Sequence, residues 1–266
     1  MDDYGDHGMS GRVATIWTAA PPNEVMGNVH EILRSLERSG KELQVFFRAD
    51  DIARVDQRFS RLMQLFLAHA MPLCLAVVPN WLDKASWQDL QEFHPDNPLW
   101  CWHQHGRSHR NHEVQGKKCE FGDSRSKEAI RNDLAGGREI LIQTLGDLFY
   151  PVFTPPWNRC GAITLELLEK LGFNAVSRSE GAKPPAEGIL PDLAVNIDLH
   201  TRKENDFSEG WQNLLVEFAK AADRGRMGIM LHHQRMNEAA FAFLDLLLGE
   251  LTSFQHISCH TFRELL

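Results

Sequence analysis

The 266-residue chain predicts an α/β protein whose mostly parallel sheet closes, or nearly closes, into a (β/α) barrel. Three observations lead there. Short apolar runs rich in β-formers alternate about seven times with stretches whose apolar residues recur every three or four positions. Neither a GxGxxG nor a GxxxxGKS/T segment occurs, so open dinucleotide-binding and P-loop sheets lack their phosphate-binding turn. Polar residues able to do chemistry stand where the apolar runs stop, the edge at which parallel α/β folds build their sites.

Residues 1–40 read as an N-terminal extension, with about ten loosely ordered residues and then a first helix, and residues 41–266 as a single barrel domain. Strand-like runs are Leu43–Phe47, Leu73–Val78, Leu99–Trp102, Tyr150–Phe153, Asn174–Val176, Leu193–Ile197, Gly228–Leu231 and His256–Ser258. Helical spacing covers Asp56–Ala70, Lys127–Leu148, Ala162–Leu171, Ser208–Ala222 and Glu238–Leu251. Seven or eight strand–helix units in this length favour a barrel over a doubly wound sheet.

Composition narrows the function. Hydrophobic residues at 43% and charged residues at 24% are ordinary for a globular domain. A net charge of -8 with a pI near 5.9 argues against a general nucleic-acid or anionic-membrane binder, which needs a basic surface. The five cysteines form no CxxC pair and no even framework, as expected of reduced thiols. The start is acidic and its apolar stretch, Val13–Ala20, is short and interrupted, unlike a secretory signal. His69 and Pro72 break the longest apolar run, so no membrane insertion is expected, and the reading is of a cytoplasmic protein.

The strand ends carry five polar groups. Asp50 and Asp51 close the first run, and two adjacent carboxylates there need a cation, or else one caps the following helix. His105 and His109 are four apart, which on a helical turn would aim both imidazoles at one ion; the alternative is a polar, histidine-rich surface. One Asp with two His leaves coordination positions open, the pattern of a catalytic rather than a structural metal site, and it suits zinc. Asp198 and His232 form a second candidate pair, a carboxylate that would raise an imidazole into the range of a proton donor, although a helix cap and a core histidine fit as well. Trp102, Trp157 and Trp211 are candidate sugar-stacking surfaces or partly buried core.

Taken in order, these segments resemble the motif series of the polysaccharide deacetylases, the NodB-homology or carbohydrate esterase family 4 fold, a distorted (β/α) barrel with a divalent metal. Arg48-Ala49-Asp50-Asp51 resembles the T-F-D-D motif, with Arg48 where the Thr is usual, whose first Asp is the general base and whose second is a metal ligand. His105-Gly-Arg-Ser-His109 resembles the motif that completes the metal triad, with Gly106 where Ser or Thr is usual. Thr154-Pro155-Pro156-Trp157-Asn158 resembles the groove motif, with Trp157 as candidate oxyanion donor beside Pro156 and Asn158. The family's Arg, which pairs with the catalytic base, is here Thr154, with Arg48, Arg107 or Arg159 as possible substitutes. Asp198 resembles the residue that tunes the acid, with His200 near the substrate, and Leu231-His232 resembles the motif that supplies the acid, with His233 as fallback.

The resemblance therefore implies a zinc-dependent hydrolase, with cobalt, nickel, manganese or iron as other occupants, that deacetylates an N-acetylated sugar or glycan precursor. A facial triad of a non-haem iron oxygenase uses the same ligand types, but its usual order and antiparallel scaffold differ from this pattern. The missing motif Arg supports the alternative of a catalytically degenerate carbohydrate-binding barrel of the same fold.

Overall fold

In a computed structural model that describes residues 12–186 and 188–266, the first ten residues expected to be loosely ordered lie outside the described part. The run LQVFFRADDI forms β1 (Leu43–Ile52), nearly all of it buried, in the middle of a parallel sheet. Before it, α1 (Asn23–Ser39) turns Val25, Val29, Leu33 and Leu36 inward and ends at Gly40, whose φ of 65° makes the left-handed cap. Following β1, Asp56 caps α2 (Gln57–Ala68) by accepting from the Phe59 N–H, so neither Asp50 nor Asp51 does that work.

The chain continues with β2 (Leu73–Val77), α3 (Lys84–Leu90), β3 (Trp100–His105), α4 (Lys127–Leu145), β4 (Phe149–Thr154), α5 (Ala162–Lys170) and β5 (Ala175–Val176). There follow β6 (Ile197–Asp198), α6 (Phe207–Asp223), β7 (Arg226–Leu231), α7 (Glu238–Thr252), β8 (Ile257–Cys259) and α8 (Phe262–Leu265). The sheet runs β5-β4-β3-β2-β1-β7-β6, all parallel, with β8 also on β1. Its edges, β5 and β6, are joined through isolated bridges, Val176 to Asp192 and Ser179 to Val195. This is a curled, distorted barrel, as the alternation predicts.

The strand period of two sorts the core into two layers. Val45, Phe47 and Ala49 of β1, Trp100 and Trp102 of β3 and Met227, Ile229 and Leu231 of β7 face the helices. Phe46, Cys74, Cys101, Val152, Ala175 and Met230 face the barrel interior, where Phe262 of α8 joins them. Arg48 and Asp50 share the parity of Phe46, and His103 and His105 that of Cys101, so these polar side chains rise inside the barrel above an apolar floor. Asp198 ends β6 and His232 follows β7, on the same carboxyl edge. No described helix is long and apolar enough to cross a membrane, and the five cysteines carry no disulfide.

Candidate active site

A cavity of about 940 Å³ opens at the carboxyl ends of the strands, lined among others by Asp50, Asp51, His105, His109, Trp157, Asn158, Asp198 and His232. At its floor the donor atoms of Asp51, His105 and His109 all lie within 4.8 Å of one another. Asp51 Oδ1 stands 3.2 Å from His105 Nε2 and 3.3 Å from His109 Nε2. Metal–ligand bonds of about 2.0–2.2 Å set neighbouring donors about 3.0–3.5 Å apart, so the spacing fits one ion.

The tautomers make the same point. His105 Nδ1 lies 3.0 Å from the Thr154 carbonyl, which can only accept, so Nδ1 carries the proton and Nε2 turns a lone pair towards Asp51. Asp51 Oδ1 is buried and has no hydrogen-bond partner among the described residues. Two acceptors facing each other at this distance require a cation or an added proton between them. Burial would raise Asp51, but the close approach of His105, with the charge of His109, holds it far below the carboxylate range. Burial lowers His105, yet the two aspartates keep it above its ordinary value, the extra proton standing in for the cation. Burial pulls His109 down to about 4, so its neutral ring offers a lone pair.

The grip of the two histidines is not helical. His105 ends a strand and His109 sits in a loop, reached through left-handed backbone at Gly106 (φ 58°) and at His109 itself (φ 54°). A Cβ on Gly106 would lie 2.6 Å from Pro156 Cγ and run into the Glu120 carboxylate, which explains why Ser or Thr is absent there. Glu120 takes up the loop instead, accepting from the Arg107 and Ser108 N–H groups at 3.3 and 2.8 Å. Sequence reasoning missed this residue, which belongs to no motif. Asp51, Trp157 and Asn158 also have positive φ, at 62°, 56° and 58°. Four strained L-residues therefore surround one cavity, the clustering expected where geometry serves function.

Asp50 pairs with Arg48, Nε to Oδ1 and Nη2 to Oδ2, both at 2.8 Å. The other guanidinium N–H groups donate to the Ser177 carbonyl and hydroxyl and to Asn158 Oδ1, so all five donors of a fully buried Arg are used. Burial pushes Asp50 up, and Arg48 with His105 and His232 brings it below the usual carboxylate range. Arg48 and Thr154 thus stand exchanged with respect to the motifs: β1 supplies the Arg, and β4 supplies a threonine whose hydroxyl meets His103 Nε2 at 3.0 Å. Arg107 pairs with Asp133 and Arg159 reaches the Lys118 carbonyl, so neither takes that place.

His232 Nε2 lies 4.0 Å from an oxygen of Asp50 and 4.0 Å from one of Asp51. The expected Asp198 contact is absent: Asp198 accepts from the His200 and Thr201 N–H groups at 3.0 and 2.8 Å and from the Thr201 hydroxyl, an Asx turn that leaves it no bond to His232. His200 and Pro156 do not reach the cavity. His200 is buried and its Nδ1 accepts the His232 N–H at 3.1 Å, fixing the backbone that presents His232. Pro156 packs on Gly106, and His233 is buried edge-on to Phe59 at 5.5 Å and makes no ion pair with Asp50 or Asp51. Trp102 and Trp211 are core, leaving Trp157, 4.5 Å from the His109 ring, as the cavity's aromatic surface. The Trp157 N–H makes no hydrogen bond among the described residues.

Solved structures share this architecture. A presumptive polysaccharide deacetylase from Mycobacterium smegmatis superposes with a TM-score of 0.62 at 17% identity, over 85% of this chain and 89% of that one. The chain has the fold of the family 4 deacetylases. A family 4 acetyl xylan esterase from Clostridium thermocellum, in complex with a cobalt ion, follows at 0.54 and 12%, over 83% of this chain and 89% of the other. A family 4 pseudoenzyme from Bacillus anthracis gives 0.52 and 10%, over 85% and 65%. No family model and no curated sequence matches the chain.

Proposed function

We propose that this protein is a metal-dependent hydrolase that removes the acetyl group from an N-acetylated carbohydrate. The observation that carries the reading is the convergence of the Asp51, His105 and His109 donors beside a carboxylate, Asp50, that Arg48 keeps ionised. A divalent ion held by those three residues, zinc first among the candidates, would polarise the acetamide carbonyl and acidify water.

The chain's own groups supply the remainder. Asp50, next to the triad and unprotonated, is the general base that takes a proton from the attacking water. The N–H of Trp157, a cavity-lining residue on left-handed backbone whose N–H has no partner among the described residues, donates to the oxygen that gains charge as the carbonyl becomes tetrahedral. His232, held through its N–H by His200, protonates the departing nitrogen and releases a free amine. The alternative of a barrel that binds sugar without turnover rested on the missing motif Arg, and the Arg48–Asp50 pair removes that reason for it.

Metal content by elemental analysis tests this first. About one divalent ion per wild-type chain is expected, lost in Asp51→Ala and His105→Ala together with acetate release from N-acetylated sugars. A wild-type protein that takes up neither zinc nor cobalt would overturn the reading.

A further inference from the structure

Charge is distributed unevenly in the cavity. Each carboxylate on its wall is already engaged: Asp50 with Arg48, Asp51 with the two histidines, Asp198 with its Asx turn, and Glu204 and Glu217 with Arg202. Four cations are not, and besides Arg12, the first of the described residues, three belong to the barrel's loops. Arg159, Lys203 and Arg235 line the same cavity and make no ion pair among the described residues. They come from three different loops, Arg159 two residues beyond Trp157 after β4, Lys203 between β6 and α6, and Arg235 three residues beyond His232 after β7. A chain of net charge -8 has thus gathered unpaired positive groups around the mouth of its candidate reaction centre. Among the described residues Trp157 is the one tryptophan, phenylalanine or tyrosine on that wall, whereas a groove for a neutral polysaccharide would be expected to present several stacking rings.

We propose that the substrate's N-acetyl sugar carries an anionic group, a phosphate or a carboxylate, which Arg159, Lys203 and Arg235 hold while the acetamide meets the floor of the cavity. This rests on the deacetylase reading and names its substrate class. Guanidinium and ammonium groups bind such anions through charge-assisted hydrogen bonds that a neutral sugar cannot form. A cavity of about 940 Å³ lies at the upper end of small-molecule sites, room for a sugar and its substituent.

Calorimetric titration of the zinc-loaded protein with N-acetylglucosamine, its 1-phosphate and N-acetylmuramic acid tests the proposal. At least about tenfold tighter binding of one or both charged sugars is expected. A gain for the phosphate alone assigns a phosphate, and a gain for the acid alone a carboxylate. The gain should shrink several-fold in each of Arg159→Gln, Lys203→Gln and Arg235→Gln, and with added salt, while affinity for the neutral sugar stays constant.

Equal affinities for all three ligands, or no binding at millimolar concentration, overturn the proposal. So does a preference that survives the triple variant and disappears when the metal is chelated, because the anion then sits on the metal. Acetate release from neutral sugars without any charge preference would sink this inference and leave the deacetylase reading standing. Charge preference without acetate release from any sugar does the reverse.

Discussion

Two levels of the barrel interior are lined by alternate residues of the same strands and follow different rules. Phe46, Cys74, Cys101, Val152, Ala175 and Phe262 fill the lower level with apolar atoms, Phe262 packing edge-on to Phe46 at 5.3 Å. Two residues further along their strands stand Arg48, His103, Thr154 and Ser177, and beyond them Asp50 and His105. The floor is specified by volume, which several apolar side chains can supply. The level above is specified by partners, since each of its donors must find an acceptor away from water.

The largest effect is expected from breaking the polar level. Arg48→Thr leaves Asp50 buried without its cation, and about 3–5 kcal/mol of stability should disappear in denaturant titration together with acetate release. Arg48→Thr combined with Thr154→Arg tests the exchange directly, and recovery of activity in the double variant would show that the guanidinium matters more than the strand it comes from. Phe262→Ala should cost a similar 3–5 kcal/mol by leaving a cavity, with metal stoichiometry unchanged. Metal loss in that variant would mean the two levels are not separable.

Gly106→Ala places a Cβ on left-handed backbone beside Pro156 and Glu120, and a loss of about 1–3 kcal/mol with weakened metal binding is expected. Smallest over a single pH unit is a slope. Burial holds the His103 imidazole down to about 3, so it stays neutral in the folded protein while the unfolded chain protonates near 6.5. The native state then binds fewer protons, and stability should fall by up to about 1.4 kcal/mol per pH unit as pH drops from 6.5 towards 3. Chemical denaturation at stepped pH should show the slope reduced in His103→Gln.

Much of this interior is legible in the sequence once parity is applied. Phe46, Arg48 and Asp50 are spaced by two, so an Arg beside a buried carboxylate can be read from β1 alone. The apolar run nevertheless stops at Phe47, although β1 extends to Ile52, because charged residues continue a strand only when the barrel supplies their partners. His105 and His109 are readable as a pair but not as a strand end and a left-handed turn, since positive φ in residues other than glycine leaves no composition signal. Asp198-Leu-His-Thr201 carries its own signal, an acidic side chain placed to bond the N–H groups two and three residues on, and that local bond prevails over the distant imidazole. Glu120, separated from its loop partners by many residues, has no pattern to reveal it.

The isolated bridges that join β5 to β6 make the barrel a split ring rather than a hoop. A closed ladder spreads a distortion around its whole circumference, whereas an interrupted one confines it to the gap. Four backbone hydrogen bonds, Leu193 N to Val176 O, Val195 N to Arg178 O, Val176 N to Pro191 O and Glu180 N to Val195 O, at 2.8–2.9 Å, are the stitches across that gap, flanked by strands of only two residues. Widening of the mouth for a bulky ligand would be absorbed there while Asp51 on β1, His105 on β3 and His109 in the loop after β3 keep their spacing. Amide exchange at Leu193 and Val195 is therefore where such breathing would register first.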